Sequence, residues 1–311
     1  SMLTNFFGKS NPINFIVCGV LLLFTLFAAM YGAYQNEMAS VALLRMIGMF
    51  LLLLFALLLL DFVIRKNALT QINTYAIVLF TCLIAMLPVI YTEREIITST
   101  VFILLALRRI ASLPSERNIE KKLFDASLYI AIATVFHFWS ILYFFPLYWA
   151  ISKVQTQSFR YFFIPILGVV TVGICTVTYL LLFQDSLAWF IDLIPPLRID
   201  FSAYNALNIL LPSALIATLI IWIITVRLLR VASLQRKVQR NYRLITIFLI
   251  TSIAVTLLSP VKSGAEMLFV IPPLAIVSTN YIERTSDFWF KESLLWLLLI
   301  LPGVIFVFFG I

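Results

Sequence analysis

A succession of apolar runs, each about 20 residues long, dominates this chain, and a run of that length is what crosses a hydrocarbon core of about 30 Å. Backbone amides inside lipid have no water to bond, so only helices or closed barrels can cross it. The runs lack the polar–apolar alternation of barrel strands. They therefore predict an all-α, polytopic transmembrane helical bundle. Composition agrees: 63% of the 311 residues are hydrophobic and 12% are charged, whereas a soluble domain carries about 25% charge.

The runs fall near 13–34, 41–64, 73–91, 96–112, 161–183, 205–228, 243–259, 266–282 and 293–311. That makes about nine full spans. Residues 2–311 read as one integral membrane domain, with no soluble domain, and Ser1 reads as a tag remnant. The first run lacks a small-residue cleavage site and is followed by further spans, so no cleavable signal peptide is expected. The opening MLTNFFGKSNP is short and amphipathic, with Phe6 and Phe7 suited to an interface.

Segment 125–151, which holds His137, the only histidine, sets the side on which everything after it lies. If it crosses once, 10 of the 22 Lys and Arg face the amino-terminal side and there is no bias. If span 96–112 fails to cross instead, the split is 13 to 9. If 125–151 enters and returns, 18 share one side and only Arg45, Arg94, Arg198 and Lys262 lie opposite. Cytoplasmic loops concentrate Lys and Arg, so the third arrangement is preferred, with a cytoplasmic N-terminus. It makes 125–151 a re-entrant or half-helix pair, turning near mid-membrane at His137 and Ser140. A single tilted helix is the simpler alternative.

That topology gathers Glu37, Glu93, Glu95, Asp185, Asp192, Asp200 and Glu266 at the outer face beside the four exceptional cations. Local pairing would explain the cations plainly: Arg94 with Glu93 and Glu95, Arg198 with Asp200, Lys262 with Glu266. A sharper reading makes Arg198, Arg94, Lys262 and Arg45 ligands for an anionic group such as a lipid phosphate, with Glu266, Asp192 or Glu95 as a catalytic base. The stretch PVKSGAEMLFVIPPLAI at 260–276 supports it, because Gly264 permits a turn and Pro272-Pro273 are expected to interrupt the span.

Other chemistries are excluded or unsupported. One histidine cannot build a histidine-rich metal site, and no metal or cofactor is expected. Cys18, Cys82 and Cys175 sit in apolar runs without CxxC spacing, as buried free thiols do. GxxxxGK[ST], GxSxG and HExxH are absent. The net charge of +8 marks topology rather than nucleic-acid binding, and the basic runs at 108–109 and 227–243 are expected to snorkel to anionic headgroups.

Two resemblances bear on function. MLTNFFGKSNPINF, followed by this span pattern, resembles an uncharacterised family of Bacteroidota inner-membrane proteins of about the length of this chain. LLALRRIASL followed by ATVFHFWSILYFFPLYWA is similar to membrane polysaccharide polymerases of the EpsG/Wzy type, FHFWS keeping Phe136, His137 and Ser140. That second resemblance implies a GT-C-like transferase acting on polyprenyl-phosphate-linked glycans at the outer face of a bacterial inner membrane. Membrane lipid, polyprenyl phosphate included, is then the expected partner. A non-enzymatic scaffold subunit of an envelope or secretion assembly, and a lipid or solute transporter, are the alternatives.

Overall fold

The computed structural model describes residues 2–37 and 39–309; Ser1, Met38 and the last two residues of the expected final span lie outside it. Every regular element among the described residues is helical. We number them α1 Met2–Gly8, α2 Pro12–Gln35, α3 Ser40–Asn67, α4 Tyr75–Ala85, α5 Arg94–Ala111, α6 Ile119–Phe136, α7 Phe144–Ser152, α8 Phe159–Phe183, α9 Leu207–Arg230, α10 Arg236–Leu258, α11 Ile271–Arg284 and α12 Phe288–Phe309. Seven segments, α2, α3, α5 with its following turn, α8, α9 with its following turn, α10 and α12, are long and apolar enough to cross a membrane. Large apolar side chains stand exposed along α2, α8, α9 and α12, including Phe24, Phe163, Trp222 and Phe308. A soluble monomer does not expose apolar surface on this scale; this is the lipid-facing side of a multi-pass membrane protein.

Helix ends follow local chemistry. Asn11 caps α2, its side chain accepting from the Ile13 amide at 3.2 Å, and Pro12 opens the helix where a missing N–H costs nothing. Arg65 and Lys66 occupy the last turn of α3, where cations suit the helix dipole. The α1 helix is pinned rather than floating at an interface: Glu292 of α12 accepts from the amides of Leu3 and Thr4 at 2.8 and 2.9 Å, and Phe7 is buried while Phe6 is exposed.

Contacts between distant segments define the two ends of the bundle. At one end Asn14 bonds Thr74, Gln71 and Asn73 bond Glu283, Asn241 bonds the Asn67 carbonyl, and Glu116 bonds Gln155 and Thr156. Eighteen of the 22 Lys and Arg lie toward this basic end. The four exceptions sit toward the other.

The central segment enters and returns. Glu116, just before α6, accepts from the Gln155 amide at 2.8 Å, just after α7, so both ends of the segment meet. Arg160 reaches back to Glu120 at 3.2 Å. The turn is not at mid-depth, however. His137 Nε2 lies 2.9 Å from Ser259 Oγ, just past the far end of α10, and Tyr143 bonds Ser252 on the way back. The α6 helix is 18 residues long, about 27 Å, and so carries the turn well past the middle of the bundle. It also begins at Ile119, six residues before the expected boundary. The turn is held by neutral polar groups: Ser140 bonds Ser99 of α5 at 2.7 Å, and Ser99 donates to the Ala133 carbonyl. Such interhelical bonds contribute about 0.6 kcal/mol each on average.

Further boundaries differ from expectation. The 73–91 span is two pieces, because Pro88 forces Leu87 out of helical geometry, and a 3-10 turn, Pro88–Thr92, replaces the second half. Pro272 and Pro273 open α11 instead of interrupting it, since a proline in the first turn loses no helical hydrogen bond. The break lies earlier, at Gly264, whose φ of +98° suits glycine, and in the 3-10 turn Ala265–Phe269. Cys175 is exposed on α8 rather than buried, while Cys18 and Cys82 are buried as expected.

Candidate functional site: a lateral cleft with a polar rim

The truncation of α4 creates the site. Ten of its eleven residues are buried, so α4 is a central helix. At 11 residues it rises only about 16 Å, roughly half of the 30 Å core. Beyond Ala85 only the 3-10 turn Pro88–Thr92 follows, and it leaves space open between α2, α9 and α12. The result is a cleft of about 970 Å³ in the half of the bundle away from the basic end. Its volume is at the top of the range of about 300–1,000 Å³ for small-molecule sites.

The floor of the cleft is Cys82, Ala85 and Pro88. One wall is the small-residue face of α2, Ala28, Ala29, Gly32 and Ala33. The opposite wall is Leu299, Pro302, Gly303, Ile305 and Phe306 of α12. Phe24, Phe27, Tyr31 and Phe306 line it and are also exposed on the lipid-facing surface, so the cleft opens sideways. Tyr31 and Phe306 meet edge to face across the mouth, with ring centroids 6.2 Å apart.

A polar cluster borders the cleft. Thr92, Ala203 and Ser263 line the cleft, and they are chain neighbours of Glu93, Tyr204 and Lys262. At its centre is Glu266, 1% exposed. Glu266 accepts from the Gly264 amide at 2.9 Å and from the Tyr204 hydroxyl. Lys262 donates to the Thr256 and Leu257 carbonyls at 3.2 and 2.5 Å, capping the C-terminus of α10, and lies over the Phe201 ring. Burial pushes the Lys262 ammonium below the usual lysine range, an effect the Glu266 carboxylate partly offsets. Burial first, then the Glu95 and Glu266 carboxylates, hold Glu93 above the usual carboxylate range. Burial, then Glu266, raises the Tyr204 phenol. The cluster thus concentrates carboxylates around one lysine and suits hydroxyl donors better than a phosphate.

The other sequence candidates stand apart from it. Arg94 is exposed and reaches Glu95 at 4.0 Å, a loose surface pair. Arg45, Asp192 and Arg198 are exposed, and among the described residues none bonds a member of the cluster. Asp200 accepts from the Ser202 amide rather than pairing with Arg198. Lys262 and Glu266 are not within ion-pair distance. His137 is buried against Phe269 and bonded to Ser259, and Ser140 is bonded to Ser99, so both act as fasteners of the hairpin turn. Among the described residues no group of His, Cys, Asp and Glu could hold a metal.

Tyr204 and the lining of the cleft were not found by sequence reasoning. The available signals were the small residues at 28, 29, 32 and 33 on one helix, which leave room rather than fill it, and Pro88 inside an apolar run.

Neither a curated protein nor a solved structure matches the chain. A family model matches residues 2–311, and the protein belongs to that family of unknown function, DUF6427.

Proposed function

We propose that the protein binds a membrane lipid, its hydrocarbon chain in the cleft and its hydroxyl-bearing headgroup against Glu266, Tyr204 and Lys262. The observation that carries this reading is an apolar cleft open toward lipid, whose lining residues Thr92, Ala203 and Ser263 adjoin in sequence Glu93, Tyr204 and Lys262, the last two grouped with the buried Glu266. The excess of Lys and Arg at the opposite end supports a polar rim at the outer leaflet and a cytoplasmic N-terminus, by the rule that basic residues stay inside. In a bacterium, the inner membrane is the bilayer to which that rule applies.

The similarity of the FHFWS stretch to EpsG/Wzy-type polymerases adds a substrate class, polyprenyl-phosphate-linked glycans. In that form the cleft takes the prenyl chain and Glu266 is the base for an acceptor hydroxyl, with Glu95 and Asp192 as the other carboxylate candidates. The dispersal of Arg45, Arg94 and Arg198 favours a second reading, a non-enzymatic lipid-holding subunit, because no cationic pocket is assembled for a phosphate. A transporter has less support, since the cleft lies in one half of the bundle.

Photoreactive polyprenyl and diacyl lipids test the reading. Cross-links should concentrate at 24–31 and 299–306. Gly303→Phe should reduce them several-fold without unfolding, because a Cβ added at Gly303 meets no atom within 4 Å. Labelling spread evenly over α8, α9 and α12, and unchanged in Gly303→Phe, would remove the cleft as a lipid site.

A further inference from the structure

Arg227 does not snorkel. It sits in the last turn of α9 at the basic end, only 3% exposed. Its Nε donates to Thr246 Oγ1 at 2.6 Å, Nη1 to Asn280 Oδ1 at 2.9 Å and Nη2 to the Tyr242 carbonyl at 2.8 Å. Its guanidinium carbon lies 3.4 Å from the centre of the Tyr242 ring. All these partners are neutral, and among the described residues no carboxylate pairs with it. A guanidinium has five N–H donors, so two remain unused.

Two more arginines converge there. Arg284 of α11 lies over the same Tyr242 ring at 5.5 Å, and Arg230 lines the same crevice with Arg227 and Asn280. The nearby Glu283 accepts from Gln71 and Asn73, and its carboxylate also acts on Arg284. Two like charges beside one buried guanidinium repel it, and a buried ion without a counter-ion keeps a large desolvation cost. The C-termini of α9 and α11 offset only part of this. Three arginines against the single Glu283 carboxylate leave a net positive charge, which suits an anion.

We propose that this crevice between α9, α10 and α11 binds the phosphate of an anionic molecule. The crevice itself has room for only about 10 Å³, so the phosphate rests on it rather than inside it. There Arg230 and Arg284, which are both exposed, border the same crevice as Arg227. An apolar flank runs alongside: Trp222 meets Tyr281 edge to face at 6.4 Å, and Leu228 and Leu229 are exposed. A phosphate carrying acyl chains is therefore favoured over a free one, and phosphatidylglycerol is a suitable probe.

Native mass spectrometry of the full chain, released from nanodiscs of phosphatidylcholine with and without phosphatidylglycerol, tests this. The native protein should retain phosphatidylglycerol preferentially. Arg230→Gln with Arg284→Gln should reduce the preference about fivefold per arginine, and Arg236→Gln with Lys237→Gln, which removes equal charge at exposed positions on the same end, should not. Arg227→Gln should abolish it; should that variant fail to fold, the exposed pair decides. A large excess of inorganic phosphate should leave the lipid bound. If it displaces the lipid, the source is a free anion. Equal losses in both double variants, or none in either, would overturn the site and leave only general surface charge or a structural clasp. The cleft reading stands or falls separately, because Gly303→Phe does not touch this end.

Discussion

At the residue scale, Glu116 is the clearest instance of one side chain fixing a topology. Its carboxylate ties the loop before α6 to the loop after α7, accepting from Thr156 Oγ1 at 2.9 Å and the Gln155 amide. These bonds, the Thr156 hydroxyl first, hold its carboxyl below the usual carboxylate range. The sign follows directly. The contribution is complete above the ordinary carboxylate pKa of about 4.3, and is lost as pH falls through the lowered folded value. Amide exchange should therefore show protection at 155–156 at neutral pH that collapses only in acid. In Glu116→Gln the amides should be weakly protected and insensitive to pH between those limits. Protection in the variant equal to the native protein's would show that the clasp is not ionic. Glu266 sits at the same scale at the other end. Gly264→Ala should displace it, because φ of +98° disfavours a side chain and the new Cβ would stand 3.0 Å from Ile209. A fall of about 1–2 kcal/mol in thermal stability is expected, together with loss of the headgroup-dependent part of lipid binding.

At the element scale, the hairpin of α6 and α7 depends on how closely α6 approaches α8. A Cβ added at Gly168 would lie 2.0 Å from Ser127 Oγ and 2.9 Å from the Leu128 backbone nitrogen. Small residues permit such approaches in membranes. Gly168→Val should separate the two helices and destabilise the fold by about 1–3 kcal/mol, read as a lowered melting temperature in detergent. A neutral Gly168→Val would contradict this crossing.

The entry and return of this hairpin could be read from charge counting, since loop arginines and lysines record the side of every span. Its depth could not, because His137 is fastened by Ser259, 122 residues later. Arg227 was misread for a similar reason: in sequence it belongs to a basic run, and only α10 and α11 supply the Thr246, Tyr242 and Asn280 that bury it. The cleft was hidden more deeply. An apolar run looks the same whether it fills the centre of a bundle or stops halfway, and only Pro88 marked the difference.

At the scale of the whole molecule, the two ends divide the work. The basic end is clasped by Glu116, Glu283 and Glu292 to loops and to the first helix, and it carries the arginine crevice. The opposite end is open, with a cleft left by a short central helix and a carboxylate cluster at its rim. A lipid chain entering between α2 and α12 would reach that cluster without crossing the bundle. The most direct measurement is an electron cryomicroscopy map of the full chain in nanodiscs of native lipid. Elongated density between α2 and α12, ending beside Glu266 and absent in Gly303→Phe, is the expected result. A cleft closed by α12 packing onto α2, or open but without lipid density in the native protein, would contradict the account.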